Sequence, residues 1–250
     1  MRDTVLSPAP LAAPARVCGF TDGQLEALKW VALASMFLDH IGRLALGHGM
    51  DGWVFAGGRL AFPLFALVLG INLARVGPRR TRAARTALRL GIWCAVAIVP
   101  SIWARGEPQV LNVLGTLGLS ALLCALMADS STNQAPRLSV VVRLALAGLA
   151  LTAAPHVEFG LAGVVLAPAV YLATTGRLAL GAVLTAASLG MTAQLNADFG
   201  GWPALVGTLA AVPLAWGAQR LPLHVPRLRQ SFYVIYPVHL ALIGAWVTWP

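Results

Sequence analysis

WVFAGGRLAFPLFALVLGINLA, residues 53–74, runs directly into RVGPRRTRAARTALR, residues 75–89. The first stretch carries one charge, Arg59, and is long enough to cross a hydrocarbon core, which takes about 20 apolar residues as a helix. The second gathers Arg75, Arg79, Arg80, Arg82, Arg85 and Arg89 into one short connection. An apolar helix feeding a strongly basic loop is how a membrane span meets the cytoplasm, because Lys and Arg accumulate on that side.

The rest of the chain agrees with that reading. Of its 250 residues 58% are hydrophobic and 11% charged, and its mean hydropathy is +0.75. Soluble domains carry roughly 25% charged residues. Apolar runs at 25–46, 53–74, 87–103, 110–128, 138–154, 159–175, 178–195, 201–218 and 231–249 predict an all-α, polytopic transmembrane helix bundle of about nine spans. Thr21 and Gln24 have the spacing of a capping box at the start of the first. Residues 1–20, with Pro8, Pro10 and Pro14 breaking any apolar stretch, read as a disordered cytoplasmic tail, and residues 21–250 as a single transmembrane domain.

Loop charge sets the orientation. With the 75–89 loop in the cytoplasm, alternation puts Arg137, Arg143, Arg177, Arg220, Arg227 and Arg229 on the same side. Asp51, Glu107, Glu158 and Asp198, with Arg105, then fall outside. The N-terminus is therefore expected in the cytoplasm, with the lipid bilayer as the chain's main partner. The net charge of +9 is spent on topology, and no basic face with interleaved aromatics points to nucleic acid. Cys18, Cys94 and Cys124 are far apart and form no C-x-x-C pair. With no metal-ligand spacing of His or Cys either, no metal is expected.

Charge inside the bilayer is costly, by about 2.5–3.5 kcal/mol on insertion scales, so the polar residues within spans are functional candidates. The first span contains Asp39, His40 and Arg43, with Asp39 about 20 Å from its start, and the second brings Arg59 about 9 Å down from the opposite side. Asp39 and Arg43 share a helix face and can pair. His40 points about 100° away from Asp39, so its partner must come from another helix. Asn112 and Thr116 open the fourth span just below the external surface. The last span carries Tyr236, Pro237 and His239, the histidine about 12 Å from the cytoplasmic end.

The runs LEALKWVALASMFLDHIG (25–42), GGRLAFPLFALVLGINLAR (57–75), VLNVLGTLGL (110–119), VEFGLAG (157–163) and VPRLRQSFYVIYPVHLALI (225–243), in this order, resemble the TraX family, including its TrbP-like members. The resemblance covers about residues 24–243. It implies an acetyltransferase of the bacterial inner membrane that moves acetyl from acetyl-CoA to an acceptor presented at the membrane, such as the amino terminus of a pilin subunit. Carried over by position, it singles out Asp39, His40, Arg59, Pro63, Asn112, Thr116, Glu158, Tyr236, Pro237 and His239. His40 or His239 is then the base, Asp39 anchors a neighbouring arginine, and Arg59, Asn112 or Tyr236 stabilises an oxyanion. Arg43, Asn112, Thr116 and Glu158 are candidates for the acceptor. Arg75, Arg79, Arg80 and Arg82 are candidates for the phosphates of acetyl-CoA, which guanidiniums bind bidentately. A proton-coupled transporter and a noncatalytic assembly factor for pili or conjugation use some of the same residues and stand as alternatives.

Overall fold

The computed structural model describes residues 18–106, 110–128, 139–227 and 231–249. Most of the N-terminal tail, and the loop charges Glu107, Arg137 and Arg229, lie outside them. No β-strand occurs among the described residues, as the all-α expectation requires. Helix α1 (Asp22–His40) starts on the expected capping box: Thr21 N–H donates to Gln24 Oε1 at 2.8 Å and Gln24 N–H to Thr21 Oγ1 at 3.2 Å. Its α-helical bonding stops at His40, and residues Ile41–Ala45 continue as a wider π turn. A single α-helix to residue 46 was expected. The extra residue in the turn re-aims the side chains that follow Asp39 and His40, and π-bulges are frequent at functional sites.

The 53–74 stretch is also interrupted. It forms α2 (Trp53–Gly58) and α3 (Ala61–Ala74), which meet at Arg59 and Leu60. The cause lies four residues on, where Pro63 has no N–H to give the Arg59 carbonyl and its ring crowds that group. Helix α4 (Arg79–Arg105) follows, then α5 (Val113–Met127). Residues 110–112 do not join α5: the Leu111 N–H donates to the His156 carbonyl and the Leu111 carbonyl accepts from the Glu158 N–H, an isolated parallel bridge to Val157. Irregular backbone at membrane depth is tolerated where protein encloses it or it lines a cavity.

Helices α6 (Val140–Thr152) and α7 (Gly160–Thr174) lead to α8 (Leu178–Leu209), which reverses at Gly201, where φ is 63°. Asn196 and Thr208 would lie about 18 Å apart on a straight helix. They are hydrogen-bonded at 2.8 Å, so the two arms fold back on each other. The second arm ends in α9 (Ala211–Ala218), and α10 (Ser231–Thr248) closes the chain.

Among the described residues, four stretches are long and apolar enough to cross a bilayer: Trp53–Ala74, Arg79–Arg105, Leu178–Ala218 and Ser231–Thr248. Helix α1, with Asp22, Glu26, Lys29 and Asp39 on it, is too charged to qualify by composition. The core lies around α3, which packs on α1, α5 and α7, and Gly70 lets its backbone approach the Ala167 carbonyl. Small residues at helix contacts are how bundles pack in lipid. The outer surface is apolar: Val99, Val141, Leu144, Trp216 and Trp246 all stand exposed. Water would penalise so large an apolar exterior, whereas lipid would not.

Candidate active site

Asp39, near the end of α1, is buried and accepts a charge-assisted hydrogen bond from Arg59 at the α2–α3 break. Arg59 Nη2 and Arg43 Nη1 share one carboxylate oxygen, Oδ2, with Arg43 the more distant at 3.7 Å. Gly58 makes the approach possible, because a Cβ there would collide with Asp39. Arg59 also lies over the Phe55 ring at 4.1 Å, pointing inward.

His40 finds its partner on the last helix. Its Nδ1 is 2.7 Å from Nε2 of His239, and the ring planes are within 7° of parallel. The opposite nitrogen of His239, Nδ1, lies 3.1 Å from the Ile235 carbonyl, which can only accept. With both rings neutral, the network assigns the tautomers: His239 carries its proton on Nδ1 and accepts at Nε2, so His40 donates from Nδ1. Nε2 of His40 is left with a lone pair. Tyr236 completes the group, its ring 6.4 Å from His40 and 5.5 Å from His239.

Three buried polar atoms here, Asp39 Oδ1, Arg59 Nε and the Tyr236 hydroxyl, have no hydrogen-bond partner among the described residues. Native structures rarely leave such groups unpaired, so each is open to a water or ligand partner.

Two cavities lie on either side of this cluster, Tyr236 lining one and Arg43 the other, while His40 and His239 are in the lining of neither. The larger, about 800 Å³, opens among Lys29, Arg75, Arg82, Arg89 and Arg227 and narrows between apolar side chains to Tyr236. From Arg75 to Phe65 on α3 it is about 15 Å deep. The smaller, about 560 Å³, lies toward the other end of the bundle and includes Arg43, Arg105, Asn112 and His156 in its walls. The elements between them pass from one to the other. On α1, Met36 lines the larger cavity and Leu44 the smaller, with His40 midway. At the start of α5, Val113 lines the larger and Asn112 the smaller.

Asn112 is therefore a partition rather than a rim residue. Its Oδ1 caps α5 through Leu114 N–H and its Nδ2 donates to the Cys94 carbonyl, midway along α4. This corrects the position expected just below the surface, because α5 begins three residues late and deep in the bundle. Thr116 donates to the Glu158 carbonyl and is fully buried, so it holds the 157–160 turn instead of facing a cavity. In that turn Phe159 adopts a left-handed φ of 63° and stacks on Phe62 at 4.1 Å, leaving Glu158 to pair with Arg105.

Of the four arginines expected to hold phosphate, Arg75 and Arg82 line the larger cavity; Arg79 and Arg80 do not. Arg75 is itself tied to Asp22 and Asn72, and Arg82 donates to the Arg75 and Val76 carbonyls, so both are held in place. Lys29 and Arg227, not singled out from sequence as ligands, join them. Their signal was charge alone, Lys29 on a helix and Arg227 on a loop whose neighbours the sequence does not reveal.

An apolar-surfaced helical bundle with a buried His–His–Tyr group and two Asp-linked arginines between opposed cavities defines a membrane protein built around a polar centre. The chain belongs to the TraX family: the family model described as TraX protein matches residues 24–247. It is 50% identical over 56 residues to "Protein TraX" of Escherichia coli strain K12, and 48% identical over 56 residues to a second Escherichia coli "Protein TraX". Each of these stretches covers 22% of this chain and 22% of the relative. No solved structure matches the chain.

Proposed function

We propose that the protein is an acetyltransferase of the bacterial inner membrane, taking acetyl from acetyl-CoA through the larger cavity and delivering it to an acceptor that enters through the smaller one. The observation that carries this reading is the His40–His239–Tyr236 group between two cavities at opposite ends of the bundle, with Tyr236 in the wall of the larger. The larger cavity suits the donor. Its mouth offers Lys29, Arg75, Arg82, Arg89 and Arg227 for phosphates, and its shaft, with Leu33, Val68 and Leu73, suits an extended, mostly neutral pantetheine arm. The arginine-rich loop at that mouth supports a cytoplasmic opening, the side where acetyl-CoA is made.

Between the cavities, Nε2 of His40 takes the proton of the attacking amine or hydroxyl as its nitrogen or oxygen bonds the thioester carbonyl carbon. The same nitrogen returns the proton to the CoA sulfur as the C–S bond breaks. His239 accepts from Nδ1 throughout and keeps the ring in the basic tautomer. The unpartnered Tyr236 hydroxyl, beside the first turn of α5, donates to the oxygen on which charge develops. Asp39 and Arg59 fix the end of α1 against α2 so that His40 meets the last helix. A pilin amino terminus is one acceptor of this kind.

The test is transfer of labelled acetyl from acetyl-CoA to membrane-borne acceptor in inverted vesicles. Wild type should label an acceptor, and His40→Ala, at equal abundance, should not. Equal labelling by both would remove His40 from the chemistry.

A further inference from the structure

We infer that the acceptor carries an anionic group, a carboxylate or a phosphate, a few bonds from its nucleophile, and that Arg43 binds it in the smaller cavity. This rests on the acetyltransferase reading and narrows its substrate class. Among the described residues the cavity is walled by two guanidiniums, Arg43 and Arg105, and by His156, with no carboxylate in its lining. Arg105 has a carboxylate of its own, Glu158. Arg43 does not: the oxygen it approaches at 3.7 Å, Asp39 Oδ2, is already bound by Arg59. Three arginines thus share two carboxylates, and of the two that line the cavity Arg43 is the one without a carboxylate to itself.

The geometry favours an anion there. The Arg43 side chain is 31% exposed, the most accessible of the three, and its guanidinium rests 5.3 Å above the Phe55 ring. A planar guanidinium pairs bidentately with carboxylate or phosphate. A guanidinium that only shares a carboxylate with a second one, at 3.7 Å, retains donors for a further anion, which a ligand can supply. Arg43 follows His40 by three residues, within one turn of the same element, where the chain passes into the π turn. An anion on Arg43 would thus hold a nucleophile a few bonds away in the neighbourhood of His40.

The experiment uses purified protein in proteoliposomes with acetyl-CoA and matched acceptors. These are amidated peptides with a free amino terminus bearing glutamate, glutamine, serine or phosphoserine at the second position, and glucuronate against glucuronamide. The acid or phosphate member of at least one pair should be acetylated ten times faster or more than its neutral twin, and the two acids identify which anion is read. Arg43→Gln should bring that ratio close to one, while acetyl-CoA binding in the other cavity stays within twofold. Equal rates within every pair, a preference that survives Arg43→Gln, or acetyl-CoA binding with no transfer to any acceptor would each overturn the inference and leave the donor site standing. Absence of acetyl-CoA binding would remove the acetyltransferase reading, and this inference with it.

Discussion

Nδ1 of His40 lies 2.7 Å from Nε2 of His239, joining the first and last helices of the bundle across 199 residues of sequence. The bond gives the two histidines unequal roles. His40 keeps a free lone pair at Nε2, while both nitrogens of His239 are engaged. His40→Ala should lower acetyl transfer by about 10²–10⁴-fold, the range for a lost general base, with acetyl-CoA affinity unchanged. His239→Ala should cost less, because it removes only the group that fixes the tautomer. Rates measured at matched abundance would contradict this if His239→Ala were the more severe.

Tyr236 offers a hydroxyl with no partner among the described residues at the inner end of the larger cavity. Tyr236→Phe keeps the ring and removes only the donor, so transfer should fall by about 10²–10³-fold, as for other oxyanion donors. Donor affinity should stay within a few-fold. A rate unaffected by the substitution assigns the oxyanion to another group.

Asp39 is the shared anchor of Arg59 and Arg43. Asp39→Asn leaves buried Arg59 without its counter-charge, a loss of about 3–5 kcal/mol when one partner of a buried pair is removed. Gly58→Ala should also destabilise, by about 1–3 kcal/mol, because its Cβ would occupy the space of Asp39. Thermal aggregation of detergent-solubilised protein would measure both, and a midpoint unchanged by Asp39→Asn would show the pair to be dispensable.

The chemistry-bearing residues were legible because charge inside an apolar run cannot be hidden. Asp39, His40, Arg59, Tyr236 and His239 announce themselves, but rise per residue put His40 about 22 Å and His239 about 12 Å from the cytoplasmic end, so their contact was not legible from depth. What a helix period does not give is azimuth or neighbours. Nothing in IGRLA announces a π turn, and the late start of α5 depends on Leu111 bridging to Val157. Asn112 was therefore expected near the surface and is found at the partition. Arg105 was read only as a loop charge, since its pairing with Glu158 spans two turns that sequence cannot bring together. Pro63, by contrast, was visible, and its effect on the Arg59 carbonyl follows from its missing N–H.

The arginine-rich connection also predicts sidedness. A reporter fused after Arg80 should read cytoplasmic, and one placed at residue 107 should read external. An external signal after Arg80 would put the mouth of the larger cavity on the wrong side for acetyl-CoA.

Donor capture is the most direct test, by equilibrium binding of labelled acetyl-CoA to the purified protein in detergent with CoA as competitor. Binding should be saturable and displaced by CoA. It should be weakened at least tenfold when Arg82, Arg89 and Arg227, which line the larger cavity, are replaced together by Gln, and little changed by Arg79→Gln with Arg80→Gln. No saturable binding to folded, monodisperse protein would contradict the proposed function.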